Sequence, residues 1–135
     1  MGSGYLGYTN TEGARKRLKP PELMQQLKKS GVKYSEKNVV MITKNYEGKL
    51  MWLEMGNANS GLIHILNNHR NDFKEGTNIP LLLKKVLELK PIRHTIRNNG
   101  KNLADVFIYI KEKKRYLVAY GDNGYIVSFY PVGRL

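Results

Sequence analysis

The chain has 135 residues, 41% hydrophobic and 25% charged, which suits one domain with one modest core rather than a disordered polymer. Lys and Arg total 23 against 11 Asp and Glu, a net charge of +12; such a field draws polyanions, with nucleic acid as the first partner class, a membrane surface the second and an acidic protein the third. The chain has no cysteine, which excludes disulfides and thiolate metal sites, and no apolar run approaches the roughly 20 residues of a membrane span.

Met1-Gly2-Ser3-Gly4 lacks the charged and apolar regions of a signal peptide. It reads as residues added at the edge of a domain cut from a longer protein. Residues 1–19 lack periodicity and are expected to form a flexible basic arm, with a single domain over 20–135. Pro20-Pro21-Glu22 offers a helix start, with Leu23, Met24 and Leu27 as its apolar stripe and Gly31 as its stop. Val39–Thr43 and Lys49–Glu54 read as two strands around a Gly-containing turn. Helical spacing returns over Gly61–Asn68, where Asn59 or Ser60 could cap. A further helix carries Leu81–Leu89, with Asn78 as its N-cap and Pro91 beyond its end. Ile92–Arg97 is a candidate strand. Val106–Ile110, Tyr116–Tyr120 and Tyr125–Tyr130 read as a β-meander. Asn123-Gly124 is the hairpin signal between the last two, and Pro131 is expected to close the final strand. Helices followed by a meander argue for an α+β fold, with N-terminal helices packed on a four-stranded, or slightly larger, antiparallel sheet.

Chemistry concentrates at the three histidines, His64, His69 and His94. A histidine beside apolar residues is most often packed and hydrogen-bonded. Two of them together in a basic chain instead suit proton transfer near neutral pH. Cleavage of RNA by its own 2′-hydroxyl needs a base, an acid and donors for the charged phosphorane. His64, His69 and the adjacent Arg70 could supply all three. Five residues on an α-helix rotate by about 140°, so the two rings share a site only if the helix ends near Asn67 or Asn68; otherwise His94 is the alternative partner. A catalytic metal is disfavoured, since no acid lies between the two histidines and Asp72 alone is a poor complement.

Strict alternation along the last strand puts Ile126, Ser128 and Tyr130 on one face and Tyr125, Val127 and Phe129 on the other. Ser128 could donate to a phosphate oxygen, and Tyr130 could stack on a base. Arg93, Arg97 and Lys101 form a basic group around His94, and Lys111–Arg115 is a charge run in a hairpin. Alone, that run is an ordinary solvated turn. Abundant tyrosine mixed with Lys and Arg suits single-stranded RNA better than duplex.

Two segments carry a family resemblance. Gly56-Asn57, then Gly61-Leu62-Ile63-His64-Ile65, with His69 and Asp72-Phe73, resembles an element of polymorphic-toxin and phage-associated nuclease domains. Ile126-Val127-Ser128-Phe129-Tyr130-Pro131 resembles their closing strand. Both belong to the barnase/EndoU/colicin/RelE-like ribonuclease superfamily, and the resemblance covers about half the chain. It implies a metal-independent, cofactor-free endoribonuclease that cuts RNA, often tRNA, to leave a 2′,3′-cyclic phosphate. It also implies a toxin module of the kind found in contact-dependent growth inhibition. Such a module belongs to a larger secreted or cell-surface protein, acts in the target-cell cytoplasm, and is neutralised by a cognate, acidic immunity protein. On this resemblance His64, His69, Ser128 and Tyr130 are the catalytic candidates. Arg70, His94, Arg97 and Lys111 are the substrate-binding ones, Lys111 standing for the strand lysine of EndoU-like sites. A DNase on the same scaffold, a non-catalytic nucleic-acid-binding module and a pure interaction domain are the rival readings.

Overall fold

The structure is a computed structural model in which residues 17–134 are described. The arm expected over residues 1–19 lies outside the described residues as far as residue 16. Its end is not a loose arm: Arg17 and Leu18 are helical, and Leu18 is 1% exposed within the main core. Burying a leucine side chain is worth about 1.5–3 kcal/mol, enough to pin this segment.

Helix α1 spans Pro21–Ser30, begins with proline in its first turn and stops at Gly31, whose φ of 80° is the left-handed cap expected of that glycine. Strands β1 (Val39–Lys44) and β2 (Leu50–Glu54) form an antiparallel hairpin. The Asn45 side chain holds its turn by accepting from the N–H groups of Glu47 and Lys49. One face of the hairpin sets Ile42 and Trp52 against Leu27 of α1, while Met41 and Leu53 enter the main core. Helix α2 covers Gly61–His69 and α3 covers Ile79–Leu87, where Asn78 Oδ1 caps by accepting from the Leu81 N–H at 3.2 Å.

Strands β3 (Arg93–Arg97), β4 (Asn102–Tyr109), β5 (Lys114–Gly121) and β6 (Ile126–Arg134) form an antiparallel sheet in chain order. The fold is therefore α+β, as the order of elements argued. The first hairpin does not enlarge this sheet but makes a two-stranded sheet of its own. The backbone N–H of Trp52, donating to Gly124 O at 3.1 Å, joins it to the tip of the β5–β6 hairpin. Pro131 does not close β6, which continues to Arg134. An edge strand tolerates a missing N–H that a central strand would not.

Directly paired residues share a sheet face. One face carries Phe107, Tyr116, Val118 and Phe129 against Leu62 and Ile65 of α2, with Leu83 and Val86 of α3 in the same core. The other face is a grid read from the register. Thr95, Ala104, Ala119 and Ser128 form one row, and Arg93, Val106, Leu117 and Tyr130 the next. The register corrects the strict alternation expected of β6. Ala119 pairs with Ser128 and Tyr120 with Ile126, so Val127 is bulged out without a partner. Ile126 therefore shares the core face with Phe129, while Ser128 and Tyr130 turn outward.

Candidate active site

The chain turns sharply between β2 and α2, and the turn aims His64. Asn57 donates its N–H to Ser60 O at 2.8 Å, and Asn57 Oδ1 accepts from the Asn59 N–H at 2.8 Å. Gly56 has φ 68°, and a Cβ there would lie 2.0 Å from Ser60 O, so the turn closes only around glycine. Ser60 occupies the N-cap position of α2, but its hydroxyl is hydrogen-bonded to the Tyr125 hydroxyl at 2.8 Å instead of capping the helix. That bond ties the start of α2 to the root of β6.

Leu62 and Ile65 bury one stripe of α2, which leaves His64 half-exposed beside β6. His64 Nε2 lies 3.1 Å from Ser128 Oγ. Its Nδ1 lies 3.1 Å from the Ala58 carbonyl and 2.8 Å from Asn68 Nδ2. A carbonyl only accepts and an amide nitrogen only donates, so these two contacts serve opposite neutral tautomers of the ring. With the proton on Nδ1, Ala58 accepts it and Nε2 accepts from Ser128. With the proton on Nε2, Asn68 donates to Nδ1 and Ser128 accepts. Both states of the imidazole thus have a partner in place.

His69 joins this group because α2 ends on it. Its φ of −130° and ψ of 4° have left helical geometry, which meets the condition that the 140° rotation set for two histidines five apart. The ring stacks on Tyr130 with centroids 4.3 Å apart and planes 17° apart, and meets His64 edge-on at 5.8 Å. Its Nδ1–H donates to Asp72 Oδ2 at 3.0 Å, since an ionised carboxylate can only accept. Nε2 is thereby left as the nitrogen that can exchange a proton. Ser128 is 6% exposed, so its hydroxyl sits at the floor of the group, and Tyr130 is half-buried beside it.

The structure thus brings His64, His69, Ser128 and Tyr130 together, with Arg97 at the margin of the group and Arg70, Lys111 and His94 apart from it. Arg97 shares with Tyr130 a hollow of about 280 Å³ on the outward sheet face, floored by Ala104, Leu117 and Ala119. Arg70, although it follows His69, lines a different hollow with Phe73 and Lys74. Lys111 sits in the β4–β5 turn beside Asn78 and Lys85, at the α3 end of the sheet. His94 is on β3, three strands from β6, and its pairing with Asp105 puts it on the opposite face from Ser128. There its Nδ1 lies 2.5 Å from Asp105 Oδ1. Asp105 is buried and its other oxygen accepts from the Tyr120 hydroxyl at 2.9 Å. Burial, and then that carboxylate, hold the Tyr120 phenol well above its ordinary pKa. His94 is therefore part of a polar clasp at the far sheet edge and is not a partner of His64.

Sequence reasoning missed Asn68 and the role of Asp72. Their signal was available: Asn68 is one helical turn after His64 and Asp72 is three residues after His69, spacings at which side chains meet. Among the described residues no three His, Asp or Glu side chains gather as a metal-binding group, and no helix is long and apolar enough to cross a membrane. No protein-family model matches the chain, and no curated protein matches it.

Proposed function

We propose that the chain is a metal-independent endoribonuclease, with His64 and His69 as the acid–base pair for 2′-hydroxyl attack on the adjacent phosphodiester. One observation carries this reading: two imidazoles from one helix end, a buried serine hydroxyl and a tyrosine ring meet beside an outward sheet face in a protein of charge +12. One imidazole takes the proton of the 2′-hydroxyl, and the other protonates the departing 5′-oxygen. The products are a 2′,3′-cyclic phosphate and a free 5′-hydroxyl. Ser128 releases His64 Nε2 to the RNA and donates its one proton instead to a non-bridging oxygen of the phosphorane, where charge develops. Asp72 holds the His69 ring in one tautomer. Tyr130 has one ring face covered by His69, so it positions that histidine and offers a base only its remaining surface.

The resemblance described above extends the proposal. The chain would be the toxic module of a larger secreted or surface-displayed protein, acting on RNA, tRNA included, in the cytoplasm of a target cell. An acidic immunity protein would neutralise it, the charge of the chain supplying the attraction.

The test is incubation of total RNA, and separately of plasmid DNA, with the protein and excess EDTA, followed by end-group analysis. RNA ending in cyclic phosphate, with the plasmid intact, is the expected result. His64→Ala should fold normally and cut about 10²–10⁴ times more slowly. Intact RNA after prolonged incubation would leave a binding module, cut plasmid would make the chain a DNase, and undiminished cleavage by His64→Ala would remove His64 from the reaction.

A further inference from the structure

The outward face of the sheet extends past the candidate active site. Next to the hollow that Arg97 shares with Tyr130 lies a second, lined by Ile92, Arg93, Val106, Arg115, Leu117 and Val132. Leu117 borders both hollows, so the two lie side by side on this face. The register sets their direction. Arg93, Val106, Leu117 and Tyr130 cross the sheet in one row, and Ile108, Arg115 and Gly133 make the next row, further from Ser128. Arg115 stands four residues from Ala119, the partner of Ser128, and so about 13 Å along the sheet from the serine. Arg93 and Arg115 are two strands and two residues apart, roughly 12 Å between Cα atoms, a gap that two guanidinium arms can close from both sides. Both are exposed, and neither has a carboxylate partner within ion-pair distance among the described residues. Between them the floor is aliphatic.

A strip of half-buried aliphatic floor flanked by two guanidinium groups, with no carboxylate beside either among the described residues, matches a nucleotide unit, with a base face for the floor and a phosphate for the arginines. A duplex would present its paired bases edge-on and keep their faces stacked inside, whereas a single strand can lay a base flat. Resting on the ribonuclease reading above, we propose that Arg93 and Arg115 form a remote phosphate subsite. It holds a nucleotide beyond the one that is cut and selects single-stranded RNA longer than a dinucleotide. The contact is made with the ground state as with the transition state, so it acts on binding and not on the chemical step.

The test compares a dinucleoside monophosphate with a single-stranded decamer as substrates for the wild type, Arg93→Ala, Arg115→Ala and the double variant. KM for the decamer should rise about 10-fold for each arginine removed, with kcat unchanged and with dinucleotide cleavage at the wild-type rate. Binding is read separately with a 2′-O-methyl decamer, which lacks the attacking hydroxyl. Its log affinity should fall with log salt, and each substitution should lower that slope by about 0.7. Equal loss on both substrate lengths, or decamer affinity untouched by the double variant, overturns the subsite. If the wild type cuts neither substrate but binds the methylated decamer through Arg93 and Arg115, the ribonuclease reading fails and the subsite stands. If that binding is to a duplex decamer instead, the single-strand assignment is wrong.

Discussion

Replacing Gly124 by alanine tests how the two sheets are joined. Gly124 sits at the β5–β6 tip with φ 101°, and a Cβ there would lie 2.1 Å from Leu50 O and 3.2 Å from the Trp52 ring. Carbon and oxygen do not approach so closely, so the tip must back away by about 1 Å, or the backbone must leave its left-handed conformation. Either movement breaks the bond from the Trp52 backbone N–H to Gly124 O, and Trp52 is wholly buried, so that backbone N–H is left without an acceptor. An orphaned buried donor costs about 1–3 kcal/mol and the strained φ about 1–3 kcal/mol. A loss of about 2–6 kcal/mol is a large share of the ~5–15 kcal/mol that holds a domain together. Gly76→Ala is the control, because Gly76 has φ 83° with no atom within 4 Å of the added carbon. That substitution carries the backbone cost alone, about 1–3 kcal/mol. Urea titration of both variants, read by Trp52 fluorescence, separates the clash from the strain. If Gly124→Ala unfolds at the same midpoint as Gly76→Ala, the close approach of the two sheets is not a determinant of the fold.

Two further outcomes follow from the contacts. Ser128→Ala removes the hydroxyl that faces His64 Nε2 and should lower kcat for RNA about 10²-fold with KM little changed, while Ser128→Thr, which keeps the hydroxyl, should recover most of the loss. A KM-only effect in steady-state kinetics would mean the hydroxyl merely binds. Tyr116 and Tyr120 are both held above the ordinary phenol pKa near 10, by burial first and then by Glu112 and Asp105 respectively. A group raised in the folded state contributes stability that is complete below its unfolded pKa and is lost as pH climbs through the folded value. Stability should therefore decline above about pH 10, by about 1.4 kcal/mol per pH unit for each of these tyrosines. Tyr120→Phe should be less stable at pH 8, with Asp105 short of one donor, yet show a shallower alkaline decline in urea midpoints. A parallel decline would argue against the Tyr120 contribution.

What the sequence disclosed, and what it did not, follows the range of each interaction. Local signals were sufficient for Gly31 as a helix stop, for Asn78 as a cap and for Asn123-Gly124 as a hairpin, because each is satisfied within four residues. The convergence of His64 with Ser128 spans 64 residues, and composition alone does not encode it. The clasp of His94, Asp105 and Tyr120 was invisible for the same reason, since it exists only through the register of β3, β4 and β5. Leu18 was misjudged because an isolated leucine in a basic, aperiodic stretch gives no sign that a core will be there to receive it.

The bulge at Val127 shows how a small irregularity can serve the site. Under strict alternation Ile126 and Ser128 would share a face, and one of them would be misplaced: an isoleucine in the groove or a serine in the core. The extra residue lets Ile126 pair with Tyr120 on the core side and Ser128 pair with Ala119 on the outward side. Pairing does not itself require the insertion. Without Val127, Ile126 and Ser128 would become neighbours opposite Tyr120 and Ala119, an unbroken ladder. Deletion of Val127 should therefore keep the fold, with a urea midpoint close to the wild type. The cost should fall on geometry, because a bulge increases local strand twist and re-aims the residues beside it. Ser128 would lose its alignment on His64 Nε2, and RNA cleavage should drop towards the level of Ser128→Ala. A deletion variant that fails to fold would mean the bulge is needed for packing, and one that folds and cuts at the full rate would mean it has no part in placing the serine.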